Sequence, residues 1–320
     1  MTQYFDVFNG DADGICALHQ LRLAQPQAAT LITGVKRDIS LLQQVHAEAG
    51  DQVTVLDIAM SKNHAALLAL LERGVAVRYF DHHMPGEIPH HPRLDAHIDT
   101  DATVCTSLLV NRYLNGAHRI WAVVAAFGDN MAQSARQAAA PLNLSESQLD
   151  ALRSLGECIN YNGYGDALAD LYYPPAALYA RVHEYLDPFA FIHEAPAYAV
   201  LSRGYVADMA QAQALLPIHE CASGAVFLLP DAAWSRRVSG VFGNWLASTY
   251  PARAHAVLSP KPGGGYVVSV RAPQLNPAGA DVLCSAFATG GGRRGAAGIN
   301  HLADAQLDEF VRQFLQHSSH

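Results

Sequence analysis

The sequence predicts an α/β protein in which a parallel-sheet domain is joined through helices and a linker to a smaller α/β domain. Two observations carry this expectation. Short apolar runs of strand length alternate with helix-periodic segments across the first 130 residues, and a shorter version of the same alternation resumes after residue 200. A third observation sets the functional expectation: apolar runs in the first region end in aspartates and histidines.

The elements follow in order. Runs at 3–8, 30–35, 52–58 and 75–80 read as strands, with helix periodicity between them at 14–24, 39–48 and 61–73. The last helix is opened by Ser61 and closed by Gly74. Such alternation implies parallel pairing through right-handed crossovers. Segments 103–114, 118–128, 145–156 and 175–186 read as helices. The expected first domain is 1–185, followed by a connector at 186–199 that carries Pro188 and Pro196, and a second domain at 200–320. The second domain has strands near 224–229, 254–259 and 266–271, and helices near 237–248, 278–287 and 304–315. Gly263–Gly265 reads as a hairpin turn.

Composition bounds the function. Of 320 residues, half are hydrophobic and 16% charged, which suits a folded, two-domain chain rather than a disordered one. The five cysteines are scattered and form no CxxC pair, so reduced thiols are expected rather than disulfides or a zinc cage. No apolar run is long enough for a membrane span, and the first residues lack the basic and apolar regions of a secretory signal. The expected compartment is the cytoplasm, with no membrane partner. The formal charge of −8 and the absence of a lysine/arginine run argue against a stable grip on long DNA and favour small phosphorylated ligands. Apolar patches on the predicted helices would serve either a homodimer or only the core.

Four candidates carry the metal-binding chemistry. Asp11 and Asp13, in Asp-Ala-Asp-Gly after the first apolar run, would either aim at neighbouring cations or form an Asx-turn that caps the next helix. Asp57 ends the third strand and would either cap the helix near Ser61 or bridge metals, since an unpaired buried carboxylate is costly. Asp81, His82 and His83 end the fourth strand and form the strongest single motif; carboxylates with imidazoles are ligands for divalent cations. Asp129, in Phe-Gly-Asp-Asn, is a fourth candidate whose alternative is a helix C-cap. Because ligands of open α/β sheets bind at the carboxyl ends of strands, the first three clusters are expected on one rim. Asp99 and Asp101 read as a cap for the helix at 103, and His19, His46 and His64 as ordinary helix residues. Near the C-terminus, Gly290, Gly291 and Gly292 with Arg293 and Arg294 combine approachable backbone with bidentate phosphate donors, and Arg271 is a second candidate phosphate contact.

In order, these motifs resemble the DHH family of phosphoesterases in its form with a DHH-associated C-terminal domain: Asp11–Gly14, Asp57, Asp81–His83, Gly128–Asp129 and Gly290–Gly298. That family includes RecJ-type exonucleases, nanoRNases, cyclic-dinucleotide phosphodiesterases and phosphatases of 3′-phosphoadenosine 5′-phosphate. The resemblance implies an active site in the cleft between two domains, and hydrolysis of short oligonucleotides or nucleotide phosphates. It implies two metal ions, usually Mn²⁺, with Mg²⁺ or another divalent ion as the alternative. Asp57 would bridge them, Asp11 would belong to the first, and Asp13, His82 and Asp129 would hold the second. Asp81 would support the site and His83 would face the phosphate or leaving oxygen, while Arg271 and the glycine-arginine segment would bind substrate. Two positions depart from the family pattern. Val7 stands where many members carry a histidine ligand of the first metal, with Asn9 nearer the turn. Arg293 stands where a phosphate-binding histidine is usual, and arginine cannot shuttle a proton at neutral pH. The departures motivate the alternative of a catalytically weak or inactive nucleotide-binding or regulatory protein.

Overall fold

The computed structural model describes residues 1–318. The chain divides into two units, one spanning Met1–Arg203 and one beginning at Gly204. The first unit contains, in order, β1 (Tyr4–Phe8), α1 (Ala12–Ala24), β2 (Thr30–Ile32), β3 (Gln52–Leu56), α2 (Met60–Glu72), β4 (Ala76–Asp81), β5 (Leu94–Ile98), α3 (Thr106–Tyr113), α4 (Arg119–Gly128), α5 (Ala132–Ala139), α6 (Glu146–Gly163), α7 (Pro175–His183) and α8 (Pro188–Glu194). The helix α9 (Pro196–Gln213) runs across the division. Pro188 and Pro196 stand at first helical positions, where the missing N–H has no intrahelical partner to lose, so the segment 186–199 is largely helical.

The first sheet has strand order β2-β1-β3-β4-β5 and is parallel throughout. Strand order reverses between β1 and β3, which makes their carboxyl ends the topological switch point of the sheet. Phe8, Leu56 and Phe80 lie in register across β1, β3 and β4, so the residues that follow them emerge at one level. One face of the sheet packs Phe5, Val7, Val55 and Tyr79 into a buried cluster with Leu67 and Leu71 of α2. In α4 every residue from Trp121 to Gly128 is buried, which explains its unbroken apolar sequence. Gly156 of α6 lies against the Val124 carbonyl of α4, too close for any Cβ.

Two local expectations need correction. Residues 39–48 do not form an α-helix; only a 3₁₀ turn at Leu41–Gln44 is present. Asn63 of α2 accepts from the Leu42 N–H at 3.2 Å and donates to the Ile39 carbonyl at 2.6 Å, and these bonds replace the helical ones. The edge strand β5 lies beyond the expected set. Its alternating Leu94, Ala96 and Ile98 are too sparse and too exposed to stand out from the surrounding loop.

His19 of α1 is fully buried, against the Trp121 ring and His183. Its Nε2–H donates to the Tyr185 carbonyl at 3.1 Å, so its Nδ1 accepts from His183. Burial, then the His183 and His118 charges, pull its pKa from 6.5 to about 3 against that hydrogen bond. The unfolded chain protonates this group from about pH 6.5 downward, while the folded chain does so only near pH 3. Its contribution is complete above pH 6.5 and declines by roughly 1.4 kcal/mol per pH unit below it. In urea unfolding, the stability difference between wild type and His19→Gln should therefore move against the wild type by about 2 kcal/mol between pH 7 and pH 5.

The second unit contains β6 (His219–Glu220), β7 (Gly224–Leu228), α10 (Ala233–Thr249), β8 (Ala254–Pro260), β9 (Tyr266–Arg271), α11 (Ala280–Ser285), β10 (Gly290–Arg293), β11 (Ala296–Leu302) and α12 (Leu307–Ser318). Its sheet order is β10-β11-β9-β8-β7-β6, antiparallel except for β7 with β8. Val268, Val270 and Ile299 of the sheet pack with Leu283, Phe310 and Phe314. Gly263–Gly265 turn β8 into β9 with positive φ at all three glycines. Among the described residues all five cysteines are free, and no helix is long and apolar enough to cross a membrane.

Candidate metal centre

The carboxyl ends of β1, β3 and β4 bring together Asp11, Asp13, Asp57, Asp81, His82 and His83, and the end of α4 adds Asp129. Ligand atoms of Asp57, His82 and His83 lie within 4.8 Å of one another, as do those of Asp13, His82 and Asp129. His82 is common to both sets.

Each side chain has a definite local role. Asp11 caps α1, its Oδ1 accepting from the N–H groups of Asp13 at 3.0 Å and Gly14 at 3.1 Å. Gly14 abuts the Asn9 backbone so closely that a Cβ has no room, which is the physical reason for glycine in this motif. Asp13 is fully buried and spans to α3, where its two oxygens accept from the backbone N–H groups of Thr106 and Ser107, each at 2.7 Å. Asp99 and Asp101 do not cap that helix. They fold the turn before it, Asp101 accepting from the Thr103 N–H at 2.8 Å, while Asp99 pairs with Arg112.

Asp57 does not cap α2, whose N-terminus has no side-chain cap. It sits at φ +60, a left-handed conformation uncommon for any residue but glycine, asparagine or aspartate. Its N–H is tied to the Phe80 carbonyl at 3.0 Å, and its Oδ1 accepts from the Thr106 hydroxyl at 3.2 Å. Burial, then the charges of Asp11, Asp13, Asp129 and Asp81, push its pKa well above the usual carboxylate range. Asp129 is the C-cap of α4 and is raised to about 6, by burial first; Lys36 pulls it down while Asp11 and Asp13 push it up.

The histidines are oriented by their other nitrogens. His82 Nδ1–H donates to the Val104 carbonyl at 2.9 Å, which leaves the Nε2 lone pair 3.5 Å from Asp57 Oδ1. Two acceptors facing each other at that distance repel unless a proton or a cation lies between them. His83 Nδ1–H donates to Asp81 Oδ1 at 2.7 Å. Burial lowers the His83 pKa, but the Asp81 bond and charge outweigh it and raise the balance. Two buried oxygens of this region, Asp81 Oδ2 and Asn9 Oδ1, have no hydrogen-bond partner. Buried acceptors without donors, beside a crowd of carboxylates, fit a divalent cation.

Lys36, in the loop after β2, belongs to the site and was not among the expected residues. Its Nζ lies 2.6 Å from Asp11 Oδ2, 3.0 Å from Asn160 Oδ1 and 3.4 Å from Asp129 Oδ1, beneath the Tyr164 ring. Burial would lower its pKa, but Asp11, Tyr164 and Asp129 hold it well above the ordinary lysine value. The signal was present in the sequence: a cation following the second strand falls on the same rim as the aspartates. Val7 lies in the apolar cluster of the sheet and offers no ligand.

In the second unit, the glycine-arginine segment is part of the sheet. Gly290–Arg293 is strand β10, paired with β11 through a turn at Arg294 and Gly295. Arg293 lies opposite Ala296, and Ala296 opposite Arg271, so Arg293 and Arg271 share one row across three strands. Gly290 abuts the Cys284 carbonyl and Gly292 abuts Ala297, so both glycines serve close packing, whereas Gly291 faces open space. Arg293 and Arg294 are exposed. The Arg271 guanidinium donates to Asn244 Oδ1 and Ser269 Oγ, both at 2.9 Å.

The sequence matches no protein-family model and no curated protein. Solved structures share the fold. The exonuclease RecJ bound to manganese aligns at TM-score 0.55 and 19% identity, covering 99% of this chain and 90% of that one. The DHH domain of a member of the s1p family of ribosomal proteins aligns at TM-score 0.65 and 14% identity, covering 99% and 86%. A pGpG-specific phosphodiesterase from Vibrio cholerae aligns at 0.57 and 12%, covering 99% of each chain. The chain shares the fold of these structures.

Proposed function

We propose that the protein is a divalent-metal-dependent phosphoesterase acting on short oligonucleotides or nucleotide phosphates. One observation carries the reading: Asp13, His82 and Asp129 place ligand atoms within 4.8 Å of one another, beside a buried Asp57 that faces an imidazole lone pair. The RecJ neighbour holds manganese, and Mn²⁺ is the ion assigned here, with Mg²⁺ next. When bound, such an ion supplies Lewis acidity, lowering the pKa of a water and offsetting charge on a phosphoryl group. The protein's residues do the positioning. Val104 turns the His82 lone pair toward Asp57. Asp81 fixes the His83 tautomer, leaving Nε2 for a phosphate or leaving oxygen. Arg271, Arg293 and Arg294, with the open Gly291 backbone, are assigned to substrate phosphates.

The test is hydrolysis with Mn²⁺ on a panel of di- to pentanucleotides, linear and cyclic dinucleotides, 3′-phosphoadenosine 5′-phosphate and longer single strands. His82→Ala should lose more than roughly 100-fold, since even outer partners of metal ligands are worth 10–100-fold. The fastest substrate then identifies the substrate class. Val7 in the core and Lys36 against Asp11 favour a second reading, a nucleotide-binding or regulatory protein without turnover. Metal binding with no hydrolysis anywhere on the panel would select it.

A further inference from the structure

We propose that the ammonium of Lys36 takes the place of one of the two metal ions expected at this centre, leaving a site for a single divalent ion with a built-in lysine as the second cation. The inference rests on the metal-dependent reading above and concerns how that centre is composed.

The argument begins with Asp11, the carboxylate expected to hold the first ion. Its Oδ1 is engaged by two backbone N–H groups at the start of α1, and its Oδ2 by Lys36 Nζ at 2.6 Å. Asp11 accordingly belongs to neither of the two ligand sets that could hold an ion. The lysine is held by its side chain and by its backbone. Its three ammonium hydrogens match three acceptors: Asp11, Asn160 and Asp129. Its own N–H donates to the Gly163 carbonyl at 2.8 Å, and its carbonyl accepts from Asn9 Nδ2 at 3.3 Å. Asn9, which stands nearest the turn, thus holds the lysine's backbone.

Asp129 is shared: it faces Lys36 and also belongs to the set formed with Asp13 and His82. The arrangement therefore keeps a carboxylate between two positive centres, one of them supplied by the chain. A divalent ion placed on Asp11 would meet the ammonium across a single carboxylate, and their repulsion in a partly buried site is strong. Val7, packed in the apolar cluster, supplies no imidazole to compensate.

Metal counting tests this without turnover. Full-length protein at saturating Mn²⁺ is examined by native mass spectrometry and by electron paramagnetic resonance. The expected result is one ion per chain with the spectrum of an isolated Mn²⁺. Lys36→Arg, which keeps the charge, should still bind one. Lys36→Ala, and Lys36→Gln as a second neutral variant, should bind two with exchange coupling between them. Two coupled ions in the wild type would overturn the inference while leaving the metal-dependent reading intact. One ion in folded Lys36→Ala and Lys36→Gln would overturn it as well, because the lysine would not be what excludes the second ion. No ion in any form would remove both readings.

Discussion

Asp57→Asn should abolish hydrolysis and, in the absence of metal, make the protein more stable. The two effects share one cause. Asp57 is buried among Asp11, Asp13, Asp129 and Asp81, and burial and those charges raise its pKa well above the usual range. For an acid whose folded pKa is raised, the sign is unfavourable at neutral pH. The folded state holds a proton that the unfolded state gives up from about pH 3.8, so stability falls as pH rises from there through the raised folded value. An amide removes that cost and keeps the volume. Asparagine also suits the left-handed backbone at φ +60 at least as well as aspartate. A tenfold difference in proton affinity between the folded and unfolded chain is worth about 1.4 kcal/mol, and the expected gain in chelator at pH 8 is at least about 1 kcal/mol. At pH 4 the gain should be small. Mn²⁺ should reverse the order: an ion at about 100 times its Kd stabilises the wild type by about 2.7 kcal/mol, and the variant loses this contribution. Thermal melts of both proteins, with chelator and with Mn²⁺, check the crossing. A variant that melts below the wild type in chelator at pH 8 would show that Asp57 is not the destabilising charge inferred from its burial.

How far this site could be read from sequence depended on what each residue's neighbours were. Asp57 and Asp81 were legible because strand ends in a parallel sheet fall on one rim, and register across Phe8, Leu56 and Phe80 places them level. For Asp11 the capping reading is a structural fact, since one oxygen caps α1, while the other oxygen meets the ammonium of Lys36. Asp129 likewise ends α4 and also faces the site. The position of Lys36 after the second strand puts it on that rim, but its partners Asp11, Asp129 and Asn160 lie far away along the chain, so the triad itself is not written in any local spacing. The same reason explains Asp99 and Asp101. Their position before a helix suggested a cap, but the true cap comes from Asp13, some ninety residues earlier in the chain. The helix periodicity of 39–48 is overridden because Asn63 supplies hydrogen bonds that compete with the helix. At Gly290–Arg293 the sequence shows approachable backbone but not its partners: Gly290 and Gly292 let two strands and a helix approach.

That long-range cap makes Asp13 the counterpart of Asp57. Asp13→Asn should also abolish hydrolysis, but it should destabilise the protein with or without metal. Both Asp13 oxygens accept short bonds from the first N–H groups of α3, and the Ser107 hydroxyl donates to the Asp13 carbonyl at 2.8 Å. An asparagine can accept only one of the two N–H groups, and its NH₂ would point at the other donor in a fully buried position. A buried donor left without an acceptor costs about 1–3 kcal/mol, and a lost helix cap about 1 kcal/mol within that range. Metal cannot recover it, because the deficit lies in the backbone of α3. Adding Mn²⁺ should therefore leave Asp13→Asn below the wild type, and chelator should leave it below Asp57→Asn as well. If Asp13→Asn instead gained stability in chelator, repulsion among the carboxylates would outweigh the helix cap, and Asp13 would act first as a charge in the metal site rather than as the residue that holds α3 against it.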